Sequence, residues 1–517
     1  MLGLFMNIAF SEKIKTLEEL GALLMPLKEQ GKRIVHCHGV FDLMHPGHVK
    51  HFWAAREKGD VLVVTITCDA HVNKGPSRPV FNERLRAETI ASLTPVDFVA
   101  VNYALTGVPA ISALRPHIYF KGGEYRESAQ TPNHSMREEA DFVRSYGGEV
   151  AFTDEEVFSS SELLNEFFEP YPAQTQDFLR TFRTRYRFED LKSLFESIRD
   201  MRVLMIGEAV IDEYEYVLPM GRPPKEAIIA TRSVEEESFA GGVLACANHL
   251  AGFCNQVDMV TVLGGERSRE DFIRKQLKSN VRPTFFYNPG VPTIHKHRFV
   301  DKAFLTKLFE VYHFNDRPLP PSVEDQLESF LAPRLSQYDL VLVLDYDHGF
   351  FSSRLRRLLT EHSPYLALNT QANAGNFGFH HITKYTKASY VCIDHLEARL
   401  AMRQKELSRE LWPNAVRRLA EHLKAHKFVV TRGHEGCLAY GEDGVFEVPV
   451  LSKKIVDRVG AGDAFFAITA PLAAKNVSSE VIGFVGNVVG AIAVTIVGNR
   501  SAVEPGQLFR SMEIMLK

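Results

Sequence analysis

At 517 residues the chain exceeds what one ordinary hydrophobic core organises, so two or three domains are expected. Its 45% hydrophobic and 24% charged residues describe a globular protein, and a net charge of −4 excludes a general electrostatic pull toward nucleic acid or anionic membrane. No apolar run approaches the roughly 18 residues of a membrane span. The opening MLGLFMNIAFSEK has no basic segment ahead of its apolar patch, so no signal peptide is expected. Six cysteines without a CxxC pair predict free buried thiols and a cytoplasmic location.

After an N-terminal extension over 1–31, residues 32–168 alternate short β-branched runs with helical segments. RIVHCHGVF leads into a helix through HVKHFWAAREKG. DVLVVTIT, a helix through NERLRAETIASL, and DFVAVN follow. HIYFKGG, a helix through MREEADFVRSYGG, and EVAF complete the series. That alternation predicts a parallel sheet covered on both faces. Residues 169–200 are polar, aromatic and charged without strand signals, and read as a helical connector. From 201 to 517 a second α/β series runs through RVLMIG, VDMVTVLGG, LVLVLDYDHG, YLALNT, YVCI and FVVTRG. It ends in the helical GAGDAFFAITAPLAA and VIGFVGNVVGAIAVTIVG. The fold class expected is α/β in two domains.

The stretch HGVFDLMHPGH places His45 and His48 at the start of the helix that follows the first strand. Pro46 suits a first helical turn, and Gly47 lets a ligand approach the backbone. Unpaired amides and the positive dipole end favour a phosphate there. Histidines at i and i+3 share a face, so both can donate to one group of phosphate oxygens. Attack on an α-phosphate builds charge on those oxygens, which placed donors stabilise.

The pattern Gly39-x-Phe41-Asp42-x-x-His45-x-Gly47-His48 resembles the signature of the Rossmann-like, HxGH-bearing cytidylyltransferase-like nucleotidyltransferases. Downstream, NKGPSRPVFNERLRAETIASLTPVDFV, RPHIYFKGGEY and GGEVAFTDEEVFSSSELL are similar to the adenylyltransferase half of the bifunctional heptose kinase/adenylyltransferases. The resemblance implies that Gly39, Phe41, Asp42 and Gly47 belong to the nucleotide site and that His45 and His48 hold the triphosphate. By it Lys74 reaches phosphate, Arg78 helps hold the substrates, and Ser159, Ser160 and Ser161 lie at a second helix start near the nucleotide. Lys121, in KGG, is either a further phosphate ligand or structural.

Near the C-terminus, DRVGAGDAFFA opens an apolar helix with Gly460, Ala461, Gly462 and Asp463. A glycine turn at a helix start exposes amides able to hold a transferring phosphoryl group, and an aspartate after it can take the proton from the attacking hydroxyl. The wider domain resembles the ribokinase-like (PfkB) sugar kinases, particularly the heptose kinase half of the same bifunctional enzymes. That resemblance makes Asp463 the base, Gly460 to Gly462 the anion hole, Asp212 the sugar-binding aspartate, and Gly241 and Gly242 the glycine pair beside the sugar. Two positions depart from the family. Ala245 replaces the usual asparagine after the glycine pair, with Asn248 three residues on. The Asn-x-x-Glu segment that organises metal-bound water reads CIDHLEA, so Cys392 and His395 fall on its positions and Asp394 and Glu397 substitute after a one-turn adjustment. In NTQANAGNFGFHHITKY the four asparagine and glutamine side chains indicate either ligand contacts or an ordinary surface loop, while His380 and His381 read as structural.

The resemblance implies a bifunctional enzyme that phosphorylates a heptose-like sugar or sugar phosphate with ATP and transfers a nucleotidyl group from ATP, or CTP, to a sugar 1-phosphate. Mg²⁺ is the implied cofactor. The partners implied are small-molecule sugar phosphates and nucleoside triphosphates, without nucleic acid or membrane, and the assembly is a homodimer through the kinase domain. The transferase leads here, the reverse of the familiar order. Two alternatives stay open: a cytidylyltransferase for a polyol phosphate, and a transferase fused to a degenerate kinase domain that only binds sugar.

Overall fold

The computed structural model describes residues 12–72, 79–125, 135–153, 171–452 and 455–516. They form two compact units, Met1–Pro170 and Tyr171–Leu516. In the first unit, strands β1 (Ile34–Gly39), β2 (Val61–Thr67), β3 (Phe98–Asn102), β4 (Ile118–Lys121) and β5 (Glu149–Phe152) make one sheet. Its order is β3-β2-β1-β4-β5, and every pairing is parallel. All seven residues of β2 are buried, as expected for a strand covered on both faces. The expected extension is part of this unit: helix Leu17–Glu29, closed by a Thr16–Glu19 capping box, buries Leu20 and Leu24 beside Ile34, Val63 and Ala100. Strand order reverses between β1 and β4, and a crevice at the carboxyl ends of such a pair is where open α/β sheets bind ligands.

The second unit holds two sheets. β6 (Val203–Gly207), β9 (Val257–Glu266), β10 (Val281–Pro292), β13 (Leu340–Asp345), β14 (Leu366–Thr370), β15 (Tyr390–Asp394), β16 (Lys427–Thr431), β17 (Cys437–Gly441) and β18 (Gly444–Val448) form the larger. Its order is β10-β9-β6-β13-β14-β15-β16-β17-β18, antiparallel only at the last two pairings. The smaller sheet, β12-β11-β7-β8, joins β7 (Ala209–Gly221), β8 (Ala230–Gly242), β11 (Ile294–Asp301) and β12 (Lys307–His313). The sequence reading did not anticipate it, because burial on both faces is confined to short stretches such as Ala209–Asp212 and Phe239–Gly242 and the strands lack long continuous apolar runs. β12 is exposed nearly throughout.

The helical connector expected over 169–200 is, in its described part, core. Helices Ala173–Arg183 and Phe188–Glu196 sink Leu179, Phe182, Leu191 and Phe195 into the second unit. Phe182 stacks on Phe484 at 4.4 Å, and Phe195 meets Phe509 edge-on at 5.3 Å. Amphipathic helices of this strength need a partner surface, and here it is the helix layer of the kinase-like sheet. Phe182→Ala should therefore destabilise the second unit by about 3–5 kcal/mol in urea unfolding, where a linker position would change it by about 0.5 kcal/mol or less.

Candidate functional sites

β1 ends at Gly39, and the chain turns through Phe41, whose backbone is left-handed at φ 47°. A Cβ on Gly39 would press on the Phe41 ring at 3.0 Å, so a larger residue there would have to displace that ring. His45 then caps helix Pro46–Arg56 and its Nδ1 accepts the Gly47 amide at 3.2 Å. The His45 and His48 rings lie 3.9 Å apart, and His48 stands edge-on to Phe41 at 5.3 Å. The pair thus shares one face at the first turn, as the i, i+3 spacing required. Gly47 spends its amide on the cap, so its part is local geometry.

Asp42 is buried, and its Oδ1 accepts the amides of Val80 and Phe81 at 2.7 and 3.1 Å, organising the loop after β2. Lys121, at the end of β4, is also buried. Its Nζ donates to the His38 carbonyl at 3.1 Å, pairs with Glu139 at 3.6 Å and lies over the Tyr119 and Tyr125 rings. Of the two readings of Lys121, these contacts support the structural one. Lys74, Arg78, Ser159, Ser160 and Ser161 lie outside the described residues.

Three groups that sequence reasoning missed hold this site from below. The Thr65 hydroxyl lies 2.7 Å from His36 Nε2 and 2.8 Å from His38 Nδ1. Burial, then neighbouring Lys121, brings the His38 imidazolium down to about 4, and burial likewise holds His36 neutral. Glu139 accepts from Tyr119 and from the Gly107 amide, each at 2.8 Å. Arg86 is fully buried and donates to the carbonyls of Phe81, Val40 and Thr67 and to Asp69. It ties the ends of β1 and β2 to the segment that follows β2. An arginine at an apolar helix face was the available signal.

In the second unit Asp212 lies on β7, directly opposite Lys296 of β11. Its Oδ1 accepts from Arg298, and Asn499 Nδ2 lies 3.5 Å from its Oδ2. A Cβ on Gly241 would collide with that carboxylate, so glycine is needed for β8 to pass it. Gly460, at φ 80°, starts helix Ala461–Ala474, and a Cβ there would collide with Asn499. Asn499 therefore joins the glycine turn to Asp212. Asp457, just before the turn, accepts from Tyr214 at 2.8 Å and pairs with Lys307 at 2.5 Å, fastening the turn to the smaller sheet.

Ala461, Gly462 and Asp463 occupy the first helical turn, whose amides lack intrahelical partners. Asp463 is 7% exposed. Burial raises its carboxyl to about 6, against hydrogen bonds from Tyr346 (3.0 Å) and Gln371 that hold it down. The Lys296 ammonium is buried over the Tyr312 and Tyr346 rings. Burial lowers it, and Asp212 and Asp463 hold it up. The structure thus brings Asp212, Gly241, Gly460 and Asp463 together around a buried cation that the sequence reading did not single out. Gly242, at φ 60°, packs on the Glu208 carbonyl.

Asp394 ends β15 and caps helix His395–Met402 in a reciprocal box with Glu397. The two stand together on the first turn of that helix. Glu397 Oε1 also accepts the Ala372 amide at 2.9 Å. Each Glu397 oxygen keeps a second lone pair, so the pair fits the water shell of a divalent cation better than direct ligation. Burial, then Asp394, raises Glu397 to about 8, and a nearby cation would favour its ionised form. Asp345, Asp347 and His380 also cluster, but Lys384 already places its ammonium 2.9 Å from Asp347, and Tyr385 donates to Asp345 at 2.9 Å.

Fold and sites together define a two-unit α/β chain in which each unit carries a candidate phosphate site at a helix N-terminus. The sequence profile of the pfkB family carbohydrate kinases matches residues 200–505, and the chain belongs to that family. A cytidylyltransferase-like profile matches residues 36–166. The chain is 40% identical over 164 residues to the bifunctional protein HldE of Pelobacter propionicus, covering 31% of this chain and 32% of that protein. To the bifunctional protein HldE of Geotalea uraniireducens it is 43% identical over 140 residues, 27% of each chain. It thus spans about a third or less of the length of these curated relatives. Phosphofructokinase-2 from Escherichia coli in complex with potassium shares the fold of the larger part, with a TM-score of 0.50 and 14% identity over 61% of this chain and 99% of that one.

Arg86→Met should leave three carbonyls and Asp69 without their donor and cost the first unit about 3 kcal/mol or more in urea unfolding. Arg86→Lys should recover little of that loss, because a single ammonium cannot reproduce the planar fork.

Proposed function

We propose that this chain is a bifunctional enzyme of nucleotide-sugar synthesis, with its second unit phosphorylating a heptose-like sugar or sugar phosphate from ATP. Its first unit transfers a nucleotidyl group from ATP to a sugar 1-phosphate and releases pyrophosphate. The observation that carries the reading is the pair of built sites in one chain: adjacent histidines on one helix start, and Asp463 facing Asp212 and Lys296 on another.

In the kinase step Asp212 would bind a sugar hydroxyl and Asp463 would take the proton of the attacking one. The amides from Gly460 to Gly462 would hold the transferring phosphoryl group. Mg²⁺, organised through water by Asp394 and Glu397, would neutralise phosphate charge. In the transfer step His45 and His48 would donate to the triphosphate while an oxygen of the sugar 1-phosphate attacks the α-phosphorus. Lys74, Arg78 and Ser159 to Ser161 would complete that site, as the family resemblance implies. Among the described residues no helix is long and apolar enough to cross a membrane. The reading puts the enzyme in the cytoplasm, as a homodimer through the second unit.

His48→Ala should lower nucleotidyl transfer on the order of 100-fold or more and leave sugar phosphorylation in place, read as pyrophosphate release and sugar-dependent ADP formation. Asp463→Asn should do the reverse, with nucleotide binding retained. Equal loss of both activities in either folded variant would refute two separate sites.

Pyrophosphate release should occur with heptose 1-phosphate plus ATP. Turnover only with glycerol 3-phosphate plus CTP would replace the heptose reading by a polyol-phosphate cytidylyltransferase. Transfer without phosphorylation of any sugar tested would leave the second unit as a binding module.

A further inference from the structure

We propose that Gln371 is a positioning residue for Asp463: together with Tyr346 it occupies Oδ1 of the carboxylate and leaves Oδ2 as the oxygen that takes the substrate proton. This rests on the kinase reading of the second unit. Gln371 begins the polar loop after β14 that the sequence left open between ligand contacts and ordinary surface.

The loop is a brace. Gln371 Nε2 and the Tyr346 hydroxyl both donate to Asp463 Oδ1. A carboxylate only accepts, so the amide nitrogen of Gln371 must be the end that faces it. Asn373 and Asn376 each donate a side-chain amide to the Tyr346 carbonyl at 2.9 Å, and Asn376 also reaches the Gln371 carbonyl at 3.2 Å. The Gln371 amide binds the Asp345 carbonyl at 3.0 Å, at the end of β13. Asn376 therefore ties the backbones of both donors to Asp463 together, and Asn373 adds a second hold on Tyr346. At the next residue, Ala372 gives its amide to Glu397, so one short loop touches both the base and the carboxylate assigned to metal-bound water.

The ionisable groups facing Asp463 are Asp212, Lys296, Tyr346, Glu397, Cys246 and Cys392. Of their side chains, only that of Tyr346 joins Gln371 in hydrogen bonding to the carboxylate among the described residues. A donor to a carboxylate favours its ionised form. Loss of Gln371 must then raise the pH at which Asp463 becomes a base, and a structural role alone would not move that midpoint.

The test uses the full chain carrying Gln371→Leu, with Tyr346→Phe as a second variant that removes the other donor. Carbon-13 NMR of labelled aspartate, assigned by difference from Asp463→Asn, follows the carboxyl directly. In the wild type it should titrate near the value of about 6 to which burial raises it. Each variant should move that midpoint, and the acid limb of the kinase profile, upward by about half a unit, a roughly three-fold greater loss of activity at pH 5 than at pH 8. Sugar KM should stay within about two-fold, with the change in kcat. An unmoved titration with a uniform loss at every pH would overturn the proposal and leave Gln371 as packing. A shifted titration in a chain whose wild type phosphorylates no sugar would keep the brace and remove the kinase reading. Nucleotidyl transfer by the first unit reports that each variant chain is folded there.

Discussion

Asp463 is nearly out of contact with water, and a carboxylate in that position keeps its charge only where donors meet it. Two do, Tyr346 and Gln371, and much of the second unit's site follows from holding them in place. Tyr346 directly follows β13, gives its amide to buried Glu208, and receives two asparagine side chains on its carbonyl. Gln371 directly follows β14, the strand beside β13. The parallel ladder thus sets the two donors side by side at the carboxyl ends of adjacent strands, where a helix N-terminus can deliver the acid.

The smaller sheet supplies the other wall. Asp212 on β7 and Lys296 and Arg298 on β11 are neighbours only because those strands pair in parallel, across a large gap in sequence. The Arg298–Asp212 pair is buried, with Arg298 also reaching Glu310 at 3.0 Å, so losing Arg298 would take from Asp212 its guanidinium partner. Lys296 has its attraction to Asp212 and Asp463 opposed by desolvation, and burial brings its ammonium below the usual lysine range.

The first unit solves a different problem. Beneath its histidine pair lie two more imidazoles, His36 and His38, that burial keeps neutral around the Thr65 hydroxyl. Lys121 there is balanced by Glu139. The polar network ties the end of β1 to β2 and β4 just before the turn that leads to the histidine pair.

The sequence alone determined the two parallel-sheet series, the helix that begins at His45, and the glycine turn before Asp463. Each is a local signal: a run of β-branched residues, an i, i+3 pair behind proline, or a glycine before an apolar helix. Tertiary structure decided the rest. The connector helices read as polar linker because their apolar faces are narrow, and only the Phe484 and Phe509 surfaces show where those faces go. The x-x spacing of Asp394 and Glu397 was visible, but its register became fixed only when β15 ended at the cap. Arg86, Thr65, Lys296 and Gln371 carried no motif, since most of their partners lie 17 to 92 residues away in the chain. A hydrogen bond between such residues is chosen by sheet register, which no local pattern encodes.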